Sequence, residues 1–214
     1  MLVPGHFREE KQDKLLQYFK DYSFGLLVIA DGDGIDENHL PFHFSSIEEH
    51  PLGTLRCHVT RVNPVWQRIK NGASVLTIFK GPDAYVSPSW YEAKAETGQV
   101  VPTWNYLAVH AEGKGSILQE RTWLTEHLHH LIDLHESNRE NPWSVEDAPS
   151  EFTCRLVKAI VGIEVKIEKL TEQVKASQNH PERNRTGVKA GLTDGSASEL
   201  ATTWFCYFCY APNE

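Results

Sequence analysis

The chain has 214 residues, 40% apolar and 23% charged, with a formal net charge of −8, the profile of a soluble globular chain rather than a disordered one. The charge argues against broad attraction to nucleic acid or an anionic membrane. No apolar run approaches the roughly 20 residues of a membrane helix and no signal-peptide pattern opens the chain, so the expected compartment is the cytoplasm.

Helical spacing comes first: Leu15, Leu16, Phe19 and Tyr22 share one face of a segment from about Glu9 to Lys20. The apolar run Phe24–Ala30 reads as a buried strand closed by a tight turn at Asp31–Gly34. Asn38 to Phe44 and Leu55 to Thr60 alternate with period two and read as further strands. Asn63-Pro64 is an N-cap followed by a first-turn proline, opening a short helix toward Lys70. Ser74–Phe79 and Ala84–Ser89 are strand candidates separated by Gly81-Pro82-Asp83. Thr103 to Leu118 is a long strand in which Gly113 and Gly115 mark a bulge or bend. A helical stripe of Leu124, Leu128, Leu131 and His135 follows, then a second helix from Asp147 with Pro149 in its first turn. Val161, Ile163, Val165 and Ile167 make one last half-buried strand, and Lys175 to Ser198 reads as loop. Many strands, few helices and no regular βαβ alternation point to a mainly β fold, an antiparallel barrel with peripheral helices.

Two stretches carry candidate chemistry. In His58-Val59-Thr60-Arg61-Val62-Asn63-Pro64-Val65-Trp66, a strand end delivers Arg61 beside a helix N-terminus, a combination suited to a phosphate monoester. His58 would add a donor and Trp66 would cover the site or pack beneath it. The same residues also suit a solvated arginine, a simple cap and a core tryptophan. The second stretch, Gly81 to Tyr91 with Val101 to Tyr106, concentrates aromatics among hydroxyl and amide groups, as a flat heteroaromatic ring requires. On the residues alone, an aromatic dimer seam or barrel core suits it better.

Other signals are weaker. His39 and His43 would share a strand face with His58 on a neighbouring strand, but no carboxylate or cysteine pattern completes a metal site, and none is assigned. Glu126-His127-Leu128-His129-His130 lacks the HExxH order and reads as a solvated helix face. Four cysteines, Cys57, Cys154, Cys206 and Cys209, are too few and scattered for a disulfide framework. The Cys206–Cys209 CxxC has no partner pair and reads as part of an apolar docking tail. No P-loop, dinucleotide fingerprint or Gly-x-Ser-x-Gly is present.

Taken together, Pro4–Phe7, His39-Leu40-Pro41, His58–Trp66, Phe79–Tyr91, Val101–Tyr106, Trp143-Ser144-Val145 and Lys175–Asn179 resemble the PaiB family of FMN-binding negative transcriptional regulators. The resemblance covers 1–192 as one domain and leaves 193–214 as an unassigned tail. It implies an FMN-binding split β-barrel of the pyridoxamine-phosphate-oxidase type, assembled as a homodimer with flavin at the interface. On that basis Arg61 and Asn63, with His58 and Trp66, are the candidates for the phosphate. Ser87, Trp104 and Asn105 fall nearer the ribityl chain or ring, and Ser177, Gln178 and Asn179 close the site or meet the other subunit. The chain departs from the family at Glu172-Gln173, where a Gly-Lys pair is common, which bears on whether flavin is retained. The function implied is a flavin-binding regulator; a flavin-dependent oxidoreductase and a dimer without flavin stay open. DNA is a possible partner with little independent support, and no side chain stands out as an acid or base.

Overall fold

The computed structural model describes residues 4–5, 12–47, 50–70 and 72–194. The expectations for 195–214, including Cys206 and Cys209, and for His6 and Phe7 lie outside the described residues. Seven strands, β1 (Phe24–Asp31), β2 (Gly34–Pro41), β3 (His43–Ile47), β4 (His50–Thr60), β5 (Ser74–Val86), β6 (Thr103–Leu118) and β7 (Ile160–Lys175), form one sheet ordered β2-β1-β5-β6-β7-β4-β3. Helices are α1 (Gln12–Asp21), α2 (Val65–Lys70), α3 (Ala93–Thr97), α4 (Arg121–Glu136), α5 (Ser150–Lys158) and α6 (Glu182–Asp194). None of the described helices is long and apolar enough to cross a membrane. The residues group into two compact units. The larger comprises 11–79 and 110–170; the smaller comprises 1–10, 80–109 and 171–214.

In the larger unit, β1 and β2 form a hairpin paired from Phe24↔Pro41 to Asp31↔Gly34, with Gly34 at φ 103° where a side chain would be strained. β2 and β3, the two outermost strands, are joined by Phe42 alone, whose N–H donates to Ser23 O at 2.7 Å. A one-residue joint between opposite edges requires the sheet to curl, as a split barrel does. It also separates His39 on β2 from His43 on β3, so the shared strand face expected for them does not exist. Leu27, Ile29, Leu55, Cys57, Phe79, Ile163 and Val165 fill the interior, all wholly buried. Phe19 of α1 lies flat against Phe44 at 4.9 Å and edge-on to Phe79 at 5.0 Å. Burying each such ring contributes about 1.5–3 kcal/mol.

The expected long strand at 103–118 is β6, and its glycines stand where neighbouring atoms approach closely. A Cβ at Gly113 would stand 2.0 Å from Lys166 O, and one at Gly115 would stand 2.5 Å from the Ile69 side chain. The expected break at Gly81-Pro82-Asp83 is absent, because β5 runs unbroken through it. The second helix begins at Ser150, later than expected, with Pro149 as its cap residue.

The smaller unit has its own core of Val86, Tyr91, Val188 and Leu192, packed with Ala84, Trp90 and Val100. Val188 and Leu192 belong to α6, which replaces much of the loop expected after Lys175. Gly187 and Gly191 let this helix lie directly on Trp90: added Cβ atoms would meet Trp90 O at 2.0 Å and the indole at 2.3 Å.

Candidate functional site

In the smaller unit, β6 presents Thr103 and Asn105 on one face and turns Trp104 to the other, where it is 53% exposed and edge-on to Tyr85 at 5.9 Å. Next to β6, β7 ends with Gln173 and Lys175 on one face, and the chain then turns at Ser177. Ser177 has φ 61°, the one positive φ among described non-glycine residues. That conformation costs about 1–3 kcal/mol and persists where neighbours fix it. The neighbour here is Asn105, wholly buried, which donates from Nδ2 to Ser177 Oγ at 3.0 Å and accepts from it at Oδ1 at 3.2 Å.

Thr103, Asn105, Lys175 and Ser177 edge a cavity of about 280 Å³ that also takes in Asn179, His180, Asn184 and Tyr91. Lys175 Nζ donates to Thr103 Oγ1. The His180 ring lies against Tyr91 at 5.0 Å, and its pKa is lowered by burial and by the Lys175 charge, which keeps it neutral near pH 7. The Tyr91 hydroxyl is buried without a hydrogen-bond partner among the described residues. Burial raises its pKa; Ser177 offsets this in part without reaching hydrogen-bonding geometry. Among the described residues, no aspartate or glutamate lines the cavity.

Of the residues singled out from the sequence, the cavity gathers Asn105, Ser177 and Asn179. Gln178 folds back on its own strand end, accepting from Ala176 N–H at 2.7 Å and donating to Val174 O at 2.5 Å. Ser87 caps a 3₁₀ turn at Pro88–Trp90, its Oγ accepting from Ser89 N–H. Lys175, Tyr91, Thr103 and His180 were not singled out. Period-two spacing carried the signal for one of them: Thr103 shares a face of β6 with Asn105.

The larger unit holds the other candidates. Asn63 Oδ1 accepts from Val65 N–H at 3.0 Å, capping α2, while its Nδ2 donates to Asn38 Oδ1 at 2.6 Å. Arg61 donates to Gln119 Oε1, Lys158 O and Ile160 O, which occupies three of the five N–H groups a guanidinium carries. Trp66 Nε1 donates to Arg61 O at 3.1 Å. His58 points to α4, with Nδ1 3.1 Å from His127 Nε2. His127 is 2% exposed and stacked on Trp123 at 5.2 Å, so the expected solvated helix face is instead partly interior. A wider cavity of about 610 Å³ lies along α4 and α5, lined by Arg121, Cys154 and the Glu146 partner of His129, and it contains none of the expected residues.

Comparisons with known proteins identify the family. A family model described as a putative FMN-binding domain matches residues 1–169. The protease synthase and sporulation protein PAI 2 of Bacillus subtilis is 32% identical over 188 residues, covering 88% of this chain and 87% of that protein. An uncharacterized protein of Emericella nidulans is 33% identical over 212 residues, covering 83% of this chain and 84% of its own. Among solved structures, a conserved hypothetical protein of Mycobacterium tuberculosis aligns with a TM-score of 0.60 at 10% identity, covering 85% of this chain and 95% of that one. The FAD and heme binding protein of Mycobacterium smegmatis aligns with a TM-score of 0.56 at 10% identity, covering 86% of this chain and 80% of that one. At such identity the likeness shows the fold, a mainly β split barrel with peripheral helices.

Proposed function

We propose that this chain, which belongs to the PaiB-like FMN-binding domain family and binds FMN, is a cytoplasmic, homodimeric regulatory protein whose flavin is held in part by the smaller unit's cavity. The observation that carries the regulatory reading is 32% identity, across 88% of the chain, to a relative named for protease synthesis and sporulation. The lining suits a ribityl phosphate: among the described residues, amides, hydroxyls and one ammonium converge without a carboxylate to repel it. Asn105 and Ser177 are fixed in advance of binding by their mutual hydrogen bonds, so little ordering remains when a polyol chain enters. FMN, when bound, supplies a redox-active isoalloxazine ring. Trp104, Tyr85 and Val101 stand exposed in the same unit and offer an apolar surface to a second copy.

With a net charge of −8, any DNA contact has to be local and salt-sensitive. The test is binding of the FMN-loaded dimer to its own upstream DNA by fluorescence anisotropy, from low to physiological salt. Salt-dependent binding that changes with flavin occupancy supports the reading. No binding at low salt, with turnover of reduced nicotinamide by the loaded protein, would replace it with a flavin-dependent oxidoreductase.

A further inference from the structure

The cavity of the smaller unit differs from the rest of this acidic chain in its charge. The sequence carries 29 Asp and Glu against 21 Lys and Arg, yet among the described residues the cavity is lined by Lys175 and by no carboxylate. Thr103 Oγ1 holds the Lys175 ammonium in place, leaving two of its three protons for another acceptor. The 13-residue helix α6 starts at Glu182, two residues beyond the lining His180, so its N-terminal partial charge adds to that of the lysine. An independent observation points to a ligand: the Tyr91 hydroxyl, in a side chain 3% exposed, lines the cavity with no partner for its proton among the described residues. A buried hydroxyl left unpaired costs about 1–3 kcal/mol, and an entering acceptor would recover it. Arg61 shows the reverse arrangement, with three N–H groups already committed within its own unit.

We propose that this cavity is an oxyanion site in which Lys175 and Tyr91, beside the N-terminus of α6, take a phosphate group. Two sources share that chemistry: the terminal phosphate of a flavin nucleotide, and free phosphate or a small phosphorylated metabolite. The flavin assignment rests on the function proposed above; the oxyanion site does not. If the phosphate belongs to FMN, its anchor is Lys175 rather than Arg61.

The test uses the full chain and its K175Q, K175R, Y91F and R61A variants, titrated by fluorescence with FMN and with riboflavin, which lacks the phosphate. Thermal shift with inorganic phosphate runs in parallel. Wild type is expected to prefer FMN, and K175Q to lose about tenfold or more of that preference with riboflavin affinity unchanged. K175R should restore most of it, Y91F should lose a smaller part, and R61A should keep it. If phosphate raises the Tm of wild type and not of K175Q, while FMN preference is unaffected by the substitution, the site serves a free phosphate ligand. If FMN fails to bind but that phosphate shift persists, the oxyanion site stands and the flavin reading falls. Equal FMN preference and equal phosphate response in wild type and K175Q, or loss of FMN preference in R61A alone, would overturn the proposal.

Discussion

His127 makes the stability of the larger unit depend on pH. Its ring is 2% exposed, stacked on Trp123, and 3.1 Å from His58 Nδ1. Arg56 lies 5.8 Å over the same indole and is neutralised by Glu164 at 2.7 Å, while His43 stacks on His130 at 4.9 Å. Burial above all, then the neighbouring His58, His43, Arg56 and His130, push the His127 pKa down from 6.5 to about 3. A histidine with a depressed folded pKa favours folding above its unfolded value and loses that stability as the pH falls below it. Between pH 8 and pH 5 the unfolded imidazole takes up a proton and the folded one does not. At pH 5 the loss is about 2 kcal/mol for His127 alone, because the pH then lies about 1.5 units below the free value and each unit is worth about 1.4 kcal/mol. Carboxylates titrate mostly below this window, so it isolates the imidazoles. Burial lowers His43 to about 4 and lowers His58 as well, so both act in the same direction. Urea unfolding followed by circular dichroism at pH 8 and pH 5 measures the loss in wild type. His127→Gln, which keeps a hydrogen-bonding group and does not titrate, should reduce the pH dependence by about 2 kcal/mol. An unchanged difference between the two pH values in His127→Gln would refute the reasoning.

Three further outcomes follow from individual contacts. Asn105→Ala removes both partners of Ser177 Oγ and the group that fixes its φ of 61°, and should lower stability by about 1–3 kcal/mol in thermal unfolding, with weaker flavin binding. Gly187→Ala places a Cβ 2.0 Å from Trp90 O, so α6 must shift; a loss of about 1–3 kcal/mol and faster proteolysis near Glu182 are expected. Asn63→Ala removes the cap of α2 and the bond to Asn38, costing about 1 kcal/mol in chemical denaturation while leaving the FMN-to-riboflavin preference unchanged.

The strands were legible wherever one face is buried and the other is not. Val161, Ile163, Val165 and Ile167 alternate in the sequence and are all buried in β7, and Leu55, Cys57 and Val59 do the same in β4. The α2 cap was equally legible, because Asn-Pro chemistry is local. Helix α6 was not: its apolar stripe is little more than Val188 and Leu192, and two glycines lower its intrinsic propensity. Those glycines are explained only by Trp90, far away in sequence. Phe42 hid the change of strand for a similar reason, since Leu40, Phe42 and Phe44 keep period two across a point where the chain leaves one sheet edge for the other. His127 sits among polar neighbours, and only the fold shows that His58 and Trp123 enclose it. At the cavity, Asn105 and Ser177 were identified through family likeness. Lys175 and Tyr91 emerged only once β6 and β7 lay side by side and the Tyr91 hydroxyl was left unpaired.

The most direct test of the central claim is a titration of folded apo-protein with FMN, read by flavin fluorescence, comparing wild type with Asn105→Ala. Saturable binding by wild type, weakened in a variant whose circular dichroism is unchanged, is the result expected if this cavity holds the flavin. Equal binding by the two proteins would place the flavin elsewhere, and no binding by folded wild type would contradict the account.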